Sequence, residues 1–150
     1  MKKQPQIISL AALLLVLGGC YQGSLQQLPR TVTIGGHEVS VTEAVTIEQQ
    51  SNGLSGVRAL PEDHGMLFTF KTQGYRSFWM KGMYIPIDII WIRDGQIVGI
   101  EKSVQPPATN ASDSVLTTYR SPMPVDHVLE VNAGFSDAAG LKIGDELKIR

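Results

Sequence analysis

The sequence predicts a mainly β, single-domain fold: a β-sandwich or a small barrel-like antiparallel sheet with one or two short helices. Three observations carry this. Short runs of alternating or β-branched apolar residues outnumber helical patterns. Two of the breaks between such runs, Gly35-Gly36 and Asp94-Gly95, are hairpin turns by composition. The connections carry Gly and Pro at short spacing, as sandwiches and small barrels do.

Thr31–Ile34 and Glu38–Val41 alternate Val or Ile with Thr, Ser or Glu around the Gly pair, so they form a first hairpin. Thr46–Gly53 is the first helical segment, with Thr46 placed to cap its start and Gly53 to end it. Gly65–Phe70 is a strand, Lys71–Tyr75 a turn, and Arg76–Lys81 a second strand. Ile85–Ile92 and Gln96–Glu101 form the strongest hairpin, with Pro86 setting its start at an edge or a bulge. Val115–Tyr119 and His127–Val131 are shorter strands. Phe135–Gly140 is a helical turn, and Leu147–Ile149 closes the chain.

The first thirty residues are of another kind. Lys2 and Lys3 precede an apolar run, Ile7 to Leu17, broken by Ser9. As a helix it would span about 16 Å, too short to cross a hydrocarbon core of about 30 Å and right for an export signal. Leu17-Gly18-Gly19-Cys20 then resembles the bacterial lipobox. The resemblance implies removal of residues 1–19 and acylation of Cys20, leaving residues 20–30 as lipidated Cys and tether and residues 31–150 as one domain. Acyl chains contribute about 0.8 kcal/mol per buried CH₂, so several of them anchor durably. The expected location is the outer face of the cell membrane or, in a Gram-negative cell, the periplasmic face of the outer membrane. Tyr21, rather than the Asp that favours inner-membrane retention, points to the latter.

Charge and cysteine content exclude several functions. The whole chain has 13 bases and 14 acids; removing residues 1–19 takes two lysines and leaves 11 against 14, a net of −3 before the termini. A mildly acidic domain lacks the basic face that phosphate backbones require, so no nucleic-acid partner is expected. The single Cys excludes an internal disulfide and a multi-thiolate metal site. His37, His64 and His127 are scattered, no nucleophile elbow or phosphate-binding glycine loop is present, and no cofactor, metal ion or catalytic residue is assigned.

Four motifs follow one another in order: Gly65-Met-Leu-Phe-Thr-Phe70, Ser77-Phe-Trp-Met-Lys81, Ile85-Pro-Ile-Asp-Ile89 and Val128-Leu-Glu-Val-Asn-Ala-Gly134, the last followed by Gly140-Leu-Lys-Ile-Gly-Asp145. From about Val39 to Ile149 the chain resembles the DUF192 (UPF0127) family. That resemblance implies an exported or membrane-attached β-rich domain and supplies no reaction. Two departures stand out: Gly82-Met83 replaces a common Asn-Thr, and Arg58 falls one place late after Gly53-Leu-Ser-Gly56.

Asp88 is the most informative polar residue. It lies among Ile85, Ile87, Ile89 and Ile90, where a lone carboxylate is costly. Alternation sets it on the face opposite Ile87 and Ile89, and Lys81 is its expected partner across neighbouring strands. Lys81, Asp88, Trp79 and Trp91 are therefore the candidate ligand-binding residues, a charged pair at a cleft with aromatic walls. The expected role is a lipid-anchored binding or accessory module for a small molecule, glycan or envelope protein. The alternatives are an envelope hydrolase acting on polysaccharide or ester substrates through Asp88 with Lys81 or His64, and a purely structural subunit for a protein partner.

Overall fold

A computed structural model describes residues 30–108 and 116–150. The proposed signal segment, Cys20 and most of the tether lie outside the described residues, as does Val115. The chain forms β1 (Arg30–Ile34), β2 (His37–Ala44), α1 (Ile47–Asn52), β3 (His64–Gly74), β4 (Ser77–Trp79), β5 (Ile87–Arg93), β6 (Gln96–Val104), β7 (Thr118–Arg120), β8 (Val125–Asn132), α2 (Phe135–Ala138) and β9 (Leu147–Ile149).

Seven strands make one curled sheet in the order β6-β5-β8-β3-β2-β1-β9, and β4 pairs with β7 as a separate ribbon. The curl brings its two edges together at one end, where Gln96 bridges Glu146 and the Leu147 N–H donates to the Gly95 carbonyl at 2.7 Å. The mainly β expectation is met, with one exception to its antiparallel character: β2 and β3 run parallel. A parallel pair needs a crossover. The stretch containing α1 supplies it.

Both predicted hairpins form. Gly35 and Gly36 take φ +53° and +88°, and Asp94 and Gly95 take +51° and +76°, the left-handed pair that a two-residue hairpin turn requires. Thr46 caps α1 through a capping box, its Oγ1 accepting from the Gln49 N–H at 3.2 Å while Gln49 Oε1 accepts from the Thr46 N–H at 3.0 Å. Two segments differ from expectation. Residues 71–74 continue β3 rather than turn, because beyond a register shift Gly74 regains a partner in Val125. The strand expected over Arg76–Lys81 is confined to Ser77–Trp79, since its partner β7 is equally short.

The two faces of the sheet carry separate cores. All seven strands send residues into the inner one, among them Ile34, Val41, Leu67, Ile90, Ile97, Leu129 and Leu147. On the other face Phe68, Ile87, Ile89, Trp91 and Val128 are covered by Leu54, Met80 and Met83, with Phe78 and Tyr119 of the ribbon packed alongside.

Candidate functional site

On that outer face the cover is incomplete, and a cleft of about 290 Å³ opens between α1, the ribbon and the sheet. Each wall has a local cause. Gln50 Nε2 reaches the carbonyls of Ala44 at 3.2 Å and Thr69 at 2.9 Å, which fixes α1 over the end of β2 and the middle of β3. Gly53 follows α1 at φ +50°, ψ −137°, a conformation side-chain-bearing residues rarely adopt. A Cβ there would sit 3.3 Å from the Phe68 ring and 3.8 Å from Glu130 Oε2, so this glycine lets the chain pass close over the cleft floor. Opposite, Phe78 sets its ring edge-on to Phe68 at 4.8 Å and to Trp91 at 5.5 Å. Paired bonds join the start of the ribbon to its far side: the Arg76 N–H donates to Ser121 Oγ at 3.0 Å, and the Ser121 N–H donates to the Arg76 carbonyl at 2.9 Å.

The floor holds Glu130. It lies in the middle of β8 between Met66 of β3 and Ile89 of β5, and it is 5% exposed. Its Oε2 is buried with no hydrogen-bond partner. Burial pushes its carboxyl up to about 8, so at neutral pH it holds a proton. Arg76 borders the same cleft. Its guanidinium lies 3.9 Å above the Phe70 ring and donates to the Thr72 carbonyl at 2.6 Å, while its buried Nε meets no acceptor. The rim is open and mixed: Ile47 is 85% and Trp79 58% exposed, beside the exposed Ser51, Asn52, Ser77 and Lys81.

The expected site residues divide. Trp79 and Lys81 line this cleft. Trp91 is fully buried behind Phe78 and supports the wall without reaching the opening. Asp88 lies on the other face of the sheet. It pairs in register with Val131 of the inner core, as alternation requires. The partner expected for it was Lys81. Instead its carboxylate accepts backbone N–H groups from Ser103 at 2.8 Å, Gly134 at 3.2 Å and Ser136 at 2.9 Å. The Ser103 N–H is available because β6 carries a register irregularity opposite Asp88, with Ser103 at φ +51°. Asp88 therefore ties three segments together and offers no oxygen to a substrate.

His64, the other residue of the hydrolase alternative, pairs with Asp63 at 2.8 Å at an exposed strand start, away from the cleft. That hydrogen bond also holds Asp63 below the usual carboxylate range. Among the described residues, no three His, Cys, Asp or Glu side chains gather as a metal-binding group. No helix among them is long and apolar enough to cross a membrane. Arg58 stacks over Tyr84 at 4.3 Å and is exposed.

Glu130 is the residue that sequence reasoning missed. An acid inside Val128-Leu-Glu-Val131 is the same signal that singled out Asp88, a carboxylate in an apolar strand.

Residues 30–149 match DUF192, described as an uncharacterized ACR. The chain belongs to this family. Two crystal structures share the DUF192 chain's fold. One, from Sinorhizobium meliloti 1021, is named as a proposed transcription regulator; it is 36% identical with a TM-score of 0.69, over 80% of this chain and 90% of that one. The other, a protein of unknown function from Novosphingobium aromaticivorans DSM 12444, is 27% identical with a TM-score of 0.73, over 83% and 89%. No curated protein matches the chain.

Proposed function

We propose that this DUF192 domain is a non-enzymatic binding module, held at the cell envelope by lipid on Cys20, that takes a small ligand in the Glu130 cleft. The observation that carries the reading is the buried Glu130 carboxyl, its Oε2 without a hydrogen-bond partner, on the floor of a cleft with aromatic walls. A buried polar group without a partner costs stability, and a ligand that satisfies it recovers that cost as affinity. The aromatic wall supplies apolar area, and the exposed Ile47 and Trp79 would be covered when the cleft fills. A hydrolytic reading has less support, because Asp88 is occupied by backbone donors and His64 lies elsewhere. The name of the Sinorhizobium relative is not carried over: 11 bases against 14 acids after residue 19 do not favour DNA binding.

The experiment is a thermal-shift screen of the full chain in detergent against envelope glycans and metabolites, with tryptophan emission read alongside. A ligand of the cleft should raise Tm and shift emission through the rim residue Trp79. It should lose most of its effect in Trp79→Ala and Ile47→Asp. Ligands that act equally on both variants would place the site elsewhere, and a screen with no ligand would count against a binding module. For anchoring, Cys20→Ser should leave the membrane fraction; unchanged membrane attachment would contradict the lipid.

A further inference from the structure

Six buried side-chain polar atoms among the described residues lack a hydrogen-bond partner: Thr33 Oγ1, Thr69 Oγ1, Arg76 Nε, Trp91 Nε1, Glu130 Oε2 and Ser136 Oγ. Two of these belong to ionisable groups, and both groups border the same cleft. They are of opposite kind, an acid on the floor and a guanidinium on the wall. Among the described residues they form no ion pair with each other, and Arg76 pairs with no other acid. Elsewhere Arg30, Arg93 and Arg150 each meet a carboxylate.

We propose that the cleft binds a small zwitterion of the α-amino-acid type with an apolar body, its ammonium group on Glu130 and its carboxylate on Arg76. The proposal rests on the binding role given to the cleft above and names its ligand class. An anion alone would satisfy Arg76 and accept at most the proton of Glu130, setting no positive charge against that acid. A cation alone would satisfy Glu130 and leave Arg76 without an acid. A molecule with both charges close together answers both groups with charge-assisted hydrogen bonds. Phe68, Phe70, Phe78 and Trp79 face the uncharged part, and their ring faces also attract an ammonium. The volume, about 290 Å³, suits a single amino acid or a molecule slightly larger.

Binding has a proton balance that a merely structural Glu130 would not show. The free carboxyl is protonated at neutral pH. An ammonium group arriving beside it favours the carboxylate, and the displaced proton leaves to solvent. About one proton should therefore be released per ligand bound at pH 7.

The test uses the full chain in detergent with three probes that differ by one charge each: phenylalanine in both enantiomers, phenethylamine, which lacks the carboxylate, and 3-phenylpropionate, which lacks the ammonium. Calorimetry at pH 7 in two buffers of different ionisation enthalpy gives both affinity and proton release. Phenylalanine should bind at least about tenfold more tightly than either analogue, since a hydrogen bond between charged groups contributes about 1.5–3 kcal/mol. Glu130→Gln should abolish the proton release and the preference over 3-phenylpropionate. Arg76→Met should abolish the preference over phenethylamine, and Arg76→Lys should restore part of it. Circular dichroism confirms that each variant is folded.

Either analogue binding as tightly as phenylalanine, or phenylalanine binding with proton release unchanged in Glu130→Gln, overturns the proposal. Failure of phenylalanine to bind overturns it too. The cleft itself still stands in that case if another ligand shifts Trp79 emission, and falls with the proposal if none does.

Discussion

Asp88 and Glu130 are a near-controlled comparison. Both are acids in apolar strands, on neighbouring strands of one sheet, and both are buried: Asp88 faces across to Val131, and Ile89 to Glu130. They point to opposite faces. Toward the inner face, the bulge of β6 and the start of α2 bring three backbone N–H groups onto Asp88. Toward the outer face, Glu130 meets aromatic carbon and an opening. The same residue chemistry is a structural clasp in one case and an unfilled site in the other. What separates them is whether backbone donors from distant segments converge on the carboxylate.

The comparison breaks most visibly at Asp88. Asp88→Ala leaves three N–H groups without their acceptor, so stability should fall by about 3 kcal/mol or more, seen as a drop in Tm of roughly 10 °C. A loss under about 1 kcal/mol would mean that water replaces the carboxylate cheaply. Glu130 should respond with the opposite sign. Its ordinary value is 4.5 and its folded value about 8. Between these the unfolded chain gives up a proton that the folded chain keeps. The contribution is therefore complete below about pH 4.5 and is lost as pH rises to about 8, amounting to roughly 4 kcal/mol over that range. Glu130→Leu should remove this slope and make the protein more stable than wild type at pH 8, measured by urea unfolding from pH 5 to 8. A wild-type slope that persists in the variant would assign it to other groups.

Smaller effects sharpen the outer-face account. Gly53→Ala places a Cβ against Phe68 and demands an unfavourable φ, and should cost about 1–3 kcal/mol. It should also narrow the cleft, so ligand-induced Tm shifts shrink beyond what the lost stability explains. Ile47→Ser, at a residue 85% exposed, should change stability by no more than about 0.5 kcal/mol. Its affinity for a cleft ligand should nevertheless fall several-fold. A cost in stability without a loss of affinity would make Ile47 ordinary helix surface.

Local chemistry was legible where it was self-contained. Gly35-Gly36 and Asp94-Gly95 set their hairpins through positive φ, and Thr46 and Gly53 bounded α1. The strand pattern gave the mainly β class and the face of Asp88. What stayed hidden depends on segments far apart in sequence. The N–H donors to Asp88 come from 15, 46 and 48 residues away, and no spacing rule anticipates them. Lys81 was the plausible partner only because backbone donors are invisible in a sequence. The parallel pairing of β2 with β3 likewise depends on where the α1 crossover lands. Trp79 and Trp91 show a narrower limit: one inside and one at a rim is a division the sequence allows, but not which is which, and Trp79 is the one 58% exposed while Trp91 is fully buried. Glu130 differs from these, because its signal was present in Val128–Val131 and needed only the argument already applied to Asp88.

The most direct measurement is a ¹³C NMR titration of the Glu130 side-chain carboxyl in the full chain, assigned by comparison with Glu130→Gln. The account predicts a midpoint near 8 in the free protein, falling when phenylalanine is bound. A midpoint near the ordinary 4.5 in the free protein would contradict it, because a carboxyl already ionised at neutral pH would have found its partner within the fold.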